Sequence, residues 1–159
     1  MDLPQRKNNR LKEYDYSQNG AYFITLCTKD RKRILSEIVG EGSPLPQLSE
    51  YGIVAEQWIK KISEKYQHIS LDHYVIMPDH IHLLLMVENS GGRGNPAPTI
   101  GTIMGWLKYQ ITKNCNHINN SAGESIFQRS YYDHVIRNEQ DYYEIWEYIE
   151  NNPKSWILK

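Results

Sequence analysis

Cysteine is scarce: only Cys27 and Cys115 occur among 159 residues, far apart and without C-x-x-C spacing. Two such residues cannot build a disulfide framework or a structural zinc knuckle, and they fit a reducing cytoplasm. Long apolar runs are missing too. None approaches the ~18 residues of a membrane-spanning helix, and no N-terminal stretch carries the apolar core of a secretory signal. An excess of either charge is also lacking, since 18 Lys and Arg against 19 Asp and Glu leave a formal net charge of −1. Any nucleic-acid footprint must therefore be local. The Gly-rich run from Ser90 to Pro98 lacks a G-x-x-x-x-G-K-[ST] pattern and does not open from a strand into a helix, so it reads as a linker. Phenylalanine is nearly absent, with 2 residues, while 12 Tyr and 4 Trp supply rings that line a core or stack and hydrogen-bond at its rim.

At this length the chain is expected to form one domain over residues 1–159, able to bury a core without staples. Residues 1–20 carry Arg6, Lys7, Arg10 and Lys12 and read as a basic extended arm. Ala21 to Thr28 alternates as a first strand, followed at once by a basic turn containing Lys29, Arg31, Lys32 and Arg33. Val39 to Leu48 is punctuated by Gly and Pro and reads as a loop. Ser49 caps a helix running to about Tyr66, with Val54, Trp58 and Ile62 as its apolar stripe. Thr99 to about His117 is a second helix, buried through Ile100, Ile103, Met104, Leu107 and Ile111. A fourth strand is expected at Tyr132 to Ile136. Asn138 then caps a last helix from Glu139 that Pro153 stops near Asn152.

The second and third strands, Ile69 to Met77 and His80 to Val87, form a hairpin around Pro78 and Asp79. Side chains two apart on a strand share a face, so His80 and His82 point one way and Ile81, Leu83 and Leu85 the other. Two imidazoles one pleat apart can hold one divalent ion, although H-x-H by itself also describes two ordinary strand residues. On the last helix Tyr148 and Asn152 lie four apart, on one face. A phenol and an amide oxygen arriving beside the imidazoles would add a nucleophile and a third ligand. The order β-α-β-β-α-β-α predicts an α+β, ferredoxin-like (split β-α-β) antiparallel sheet. Two helices cover one face, and an extra C-terminal helix carries the tyrosine.

The blocks YVIMPDHIHLLL, FQRSYYDHVIRN and EYIENNP, in this order and spacing, closely resemble those of the REP-associated tyrosine transposases. These belong to the single-tyrosine HUH transposases of small bacterial insertion sequences. The resemblance runs from the first strand to about Trp156. It implies a cytoplasmic, nucleoid-associated bacterial enzyme that cleaves single-stranded DNA next to a palindromic hairpin and transfers the strand. It also implies Tyr148 as the nucleophile of a 5′-phosphotyrosine intermediate, and Mg2+ or Mn2+ bound by His80, His82 and Asn152. His134 matches a histidine of the family's YYDH block. Monomer and homodimer both stay open.

A phosphodiester's charge repels a nucleophile, so the expected cation would neutralise a non-bridging oxygen. Strand selection is expected from phosphate contacts by Lys29, Arg31, Lys32, Arg33, Arg129 and Arg137, from His134, and from bases stacking on Tyr131 or Trp156. Two other readings compete: a domesticated hairpin-binding protein of the same fold that has lost cleavage, and a zinc hydrolase built on the H-x-H pair.

Overall fold

Burial on both faces makes β1 (Gly20–Cys27) the natural centre of a sheet, and two strands flank it. The computed structural model describes residues 20–39, 45–88, 99–121 and 123–157. The expected basic arm, Gly20 apart, and the Gly-rich linker lie outside the described residues. β1 pairs antiparallel with β5 (His80–Val87) on one side and with β6 (Tyr132–Ile136) on the other. β4 (Ile69–Ile76) extends the sheet beyond β5, giving the order β4-β5-β1-β6 with every neighbour antiparallel. β1 and β4 thus run parallel with β5 inserted between them, a split β-α-β. The α+β architecture and antiparallel sheet are those expected from the sequence.

The pleat divides the apolar residues into two cores. Tyr22, Ile24, Leu26, Ile81, Leu83 and Leu85 face α1 (Glu50–Lys60), α2 (Ile62–Lys65) and α3 (Ile100–Asn119). Phe23, Val75, Met77 and Leu84 face Ile145 and Ile149 of α4 (Glu139–Glu150). Each long helix starts on a polar cap. Ser49 accepts from Gly52 N–H, Thr99 from Thr102 N–H and Asn138 from Asp141 N–H, each contributing about 1 kcal/mol. Glycine is required at position 52, where a β-carbon would lie 2.0 Å from the Leu35 carbonyl oxygen. Among the described residues no helix is long and apolar enough to cross a membrane.

Three features depart from the expectation. The Gly- and Pro-rich stretch after the basic turn is not all loop: β2 (Ser36–Val39) and β3 (Leu45–Leu48) pair as a small ribbon. Pro46 sits in that ribbon opposite Ile38, a place open to proline because a two-stranded ribbon has only edge strands. The first helix breaks at Lys61, whose N–H turns back to Trp58 O at 3.1 Å before α2 begins. Past Asn151 the chain starts another short helix, α5 (Asn152–Ile157). Pro153 lies in its first turn, where a missing N–H costs nothing.

Candidate active site

The hairpin between β4 and β5 closes where Met77 N–H donates to His80 O at 2.8 Å, leaving Pro78 and Asp79 at its corners. The Asp79 carbonyl accepts from the Thr28 N–H at 3.0 Å and from its hydroxyl at 3.1 Å, so the turn is fastened to the end of β1. The Asp79 side chain folds back over the sheet. Its Oδ1 lies 2.7 Å from His80 Nδ1, and its Oδ2 accepts from Arg31 Nε at 3.2 Å. Burial alone would push this carboxyl up, but its hydrogen bond to His80, the His80 charge and the Arg31 guanidinium outweigh that and hold it below the ordinary carboxylate value.

Arg31 approaches Asp79 from an unusual local backbone. Asp30 and Arg31 both adopt left-handed dihedrals, with φ of 57° and 53°, which cost a non-glycine residue about 1 kcal/mol or more each. The guanidinium is held by Asp79 and by Cys27 Sγ, 2.9 Å from Nη1.

His82 sits one pleat further along β5, opposite Thr25 in β1. Its Nδ1 shares a 2.8 Å hydrogen bond with Thr25 Oγ1, and its ring packs 5.0 Å from Phe23. At 1% exposure it is enclosed, and burial, then the His80 and Arg31 charges, depress its pKa well below the usual 6.5. It is therefore a neutral imidazole at physiological pH. Its Nε2 is buried without a hydrogen-bond partner.

The tyrosine reaches this pair from α4. The Tyr148 ring lies 5.4 Å from the His82 ring and meets Phe23 edge-on at 6.1 Å. Burial raises the phenol pKa above 10.0, partly offset by a hydrogen bond from Asn152. Asn152, the first residue of α5, is 8% exposed, and its Oδ1 stands 3.2 Å from His80 Nε2. One amide thus touches both the imidazole and the phenol.

This geometry fits a hard divalent cation. His80 Nδ1 meets Asp79 Oδ1 and its Nε2 meets Asn152 Oδ1, so a neutral His80 with its proton on Nδ1 would turn the Nε2 lone pair and the amide oxygen toward one shared point, where a cation could be held. An octahedral ion with bonds of ~2.1 Å separates adjacent donors by ~3.0 Å, close to the spacing seen. The unpartnered Nε2 of His82 is the other available donor. Among the described residues no group of three His, Cys, Asp or Glu could hold a metal.

The expected DNA contacts disperse. Lys29, Lys32 and Arg33 are exposed on the basic turn, and Arg33 stacks 4.9 Å above the Trp156 ring, itself 6.4 Å from the His80 ring. Arg31 is exposed as well, with its guanidinium held by Asp79 and Cys27. Arg129 and Arg137 are exposed at either end of β6. His134 shares the α4 face, with its Nε2 2.8 Å from Asp141 Oδ2 in the first turn of that helix. Tyr131 corrects the expectation of an exposed stacking ring: at 9% exposure it belongs to the core under α3. Sequence reasoning missed Asp79 and Thr25. Asp79 adjoins the histidine motif, but its partner Arg31 is 48 residues away. Thr25 becomes visible only through strand register.

The family model described as "Transposase IS200 like" matches residues 16–152. An uncharacterised Haemophilus influenzae protein is 33% identical over 169 residues, covering 97% of this chain and 91% of its own. A second protein of that organism, provisionally named a REP-associated tyrosine transposase, is 27% identical over 144 residues, covering 87% of this chain and 73% of its own. Among solved structures, a REP-associated tyrosine transposase bound to a REP hairpin superposes with a TM-score of 0.64 at 21% identity, over 91% of this chain and 74% of the other. A provisionally named transposase from Deinococcus radiodurans gives 0.52 at 20% identity, over 89% of this chain and 95% of the other. At those identities the two structures speak to the fold alone.

Proposed function

The chain belongs to the IS200-like transposase family, and from that premise we propose that it cuts and rejoins single-stranded DNA beside a hairpin with Tyr148 as nucleophile. The observation that carries the proposal is the Asn152 side chain, which stands 3.2 Å from His80 Nε2 and hydrogen-bonds the Tyr148 phenol. The related protein of known structure was bound to a REP hairpin, and a palindromic hairpin is the partner proposed for this chain.

His80, His82 and Asn152 would hold Mg2+ or Mn2+, which when bound supplies charge neutralisation at a non-bridging phosphate oxygen. Two imidazoles and an amide carry no negative charge, so affinity for a hard cation is expected to be weak. Tyr148 Oη attacks phosphorus in line. The Oη–P bond forms as the P–O3′ bond breaks, the phenolic proton leaves to solvent, and O3′ takes a proton from water. The products are a 5′-phosphotyrosine and a free 3′-hydroxyl. Attack by an incoming 3′-hydroxyl reverses the step, so strands rejoin without ATP. The outer side of the phenol opens onto a recess of about 550 Å3 shared with Glu144 and Glu147, which repel phosphate. The scissile group is therefore expected from the opposite side, past Arg33 and Trp156.

The test is a denaturing gel of protein incubated with a labelled hairpin oligonucleotide and Mn2+. Wild type should form a covalent adduct. Tyr148→Phe should form none while binding the hairpin as tightly. A wild-type protein that binds but never forms an adduct would place this chain among non-catalytic hairpin binders.

A further inference from the structure

The edge strand β4 gains one residue along its length. Leu71 stands opposite Leu85 and His73 opposite Leu84, so Asp72 is an extra residue, a β-bulge. An even pleat turns successive side chains to opposite faces. The bulge instead lets Asp72 and His73, adjacent in sequence, both reach α4. It also sets the register beyond it, in which Val75 lies opposite His82.

On α4 the residues they meet are Tyr142, Trp146 and Glu150, spaced four apart and so on one stripe. Tyr142 donates its hydroxyl to Asp72 Oδ2 at 2.7 Å. Burial, then that hydrogen bond, pushes the Tyr142 phenol up to about 12, so it stays a donor through the physiological range. The His73 ring stacks on Trp146, with centroids 4.2 Å and planes 24° apart, and its Nε2 lies 3.0 Å from Glu150 Oε1. By helical spacing this stripe flanks the buried Ile145 and Ile149 on one side, and Tyr148 flanks them on the other.

Apolar contact is non-directional, so the two isoleucines resist separation of α4 from the sheet better than they resist its rolling. At the outer radius of a helix, ~6 Å, a roll of about 10° carries a side-chain tip about 1 Å. A misplacement of that size can cost ~100-fold in rate. Hydrogen bonds and ring stacking are directional and oppose the roll. Resting on the function proposed above, we propose that the β4 bulge sets the roll of α4, with His73 and Asp72 as the positioning residues that hold Tyr148 against His82 and Phe23. They act through the helix, not on the cation or the DNA.

The experiment pairs two readouts. The first is the nuclear Overhauser contact between the Tyr148 and Phe23 rings, which meet edge-on at 6.1 Å, in protein free of metal and DNA. The second is the single-turnover rate of adduct formation at saturating hairpin and Mn2+. His73→Ala should weaken the ring contact and slow the adduct about tenfold, while hairpin affinity in EDTA and Mn2+ affinity stay within two-fold of wild type. His73→Phe keeps a ring on Trp146 and should restore the contact and most of the rate. Tyr142→Phe removes a single hydroxyl and should slow the adduct about three-fold, which keeps the test decisive if His73→Ala does not fold. Ile103→Val loosens the opposite core and should leave both readouts unchanged. Wild-type contact and rate in the His73→Ala and Tyr142→Phe proteins, equal losses in Ile103→Val, or a His73→Phe protein as slow as His73→Ala would each overturn the positioning role. Wild-type protein that forms no adduct would instead overturn the function on which it rests, and the ring contact alone would then decide the role of the bulge.

Discussion

Asp79 Oδ1 lies 2.7 Å from His80 Nδ1, and the same carboxylate accepts from Arg31 at 3.2 Å. A carboxylate in that position favours the His80 tautomer with its proton on Nδ1, the form whose Nε2 could donate to a cation. Asp79→Asn should weaken Mn2+ binding by about 10- to 100-fold, read by calorimetry on the DNA-free protein. Hairpin binding in EDTA should be retained. Equal Mn2+ affinity in variant and wild type would mean that His80 is not oriented through Asp79.

Asn152 invites a sign test. Asn152→Asp places a carboxylate where an amide oxygen faces His80, which should tighten Mn2+ binding several-fold because hard cations favour charged oxygen. The added charge beside Tyr148 also disfavours the phenolate, so adduct formation at neutral pH should slow even with the site saturated. Asn152→Ala should weaken the cation and slow the adduct together. A variant aspartate that leaves Mn2+ affinity unchanged would remove Asn152 from the ligand set.

The phenol sets the alkaline side of the pH profile. Burial holds the Tyr148 pKa above 10.0, so the ionised fraction rises about tenfold per pH unit through the neutral range. Single-turnover adduct formation should climb with pH up to at least about pH 9. A profile flat between pH 7 and 9 would mean that phenol ionisation does not limit the step.

His82 sets the acid side of stability. Its folded pKa lies well below the unfolded 6.5, so the unfolded chain takes up a proton first as pH falls. The stabilisation it contributes is full above pH 6.5 and is lost on acidification. Metal-free protein should lose about 1 kcal/mol of unfolding free energy from this residue between pH 6.5 and 5.5. Urea titrations of wild type and His82→Gln should differ in slope by that amount, and parallel curves would contradict an uncharged His82.

Tyr131 separates core from interface. Tyr131→Ala should destabilise the fold by about 3 kcal/mol, as loss of a buried ring does, while the folded fraction binds hairpin within two-fold of wild type. A stable variant with weakened hairpin binding would return Tyr131 to the DNA surface.

Much of this architecture is legible in local pattern. The two-residue period places His80 and His82 on one face, the caps Ser49 and Asn138 mark helix starts, and Ile100 to Ile111 shows its stripe. The four-residue spacing of Tyr148 and Asn152 indicates that they travel together. What escaped was set by long-range contacts or unusual backbone. Nothing local announces that Arg31 pairs with Asp79, since the two lie 48 positions apart and the turn contains two left-handed residues. Proline punctuation around Pro46 reads as loop because ribbon pairing is a tertiary outcome. Tyr131 looks exposed amid polar neighbours, yet its ring belongs to the core under α3.

The most direct measurement is peptide mass spectrometry of protein trapped with a hairpin substrate and Mn2+. The account predicts a 5′-phosphonucleotide on the peptide containing Tyr148, absent from Tyr148→Phe. A nucleotide attached to any other residue, or strand cleavage that persists in Tyr148→Phe without a covalent species, would contradict it.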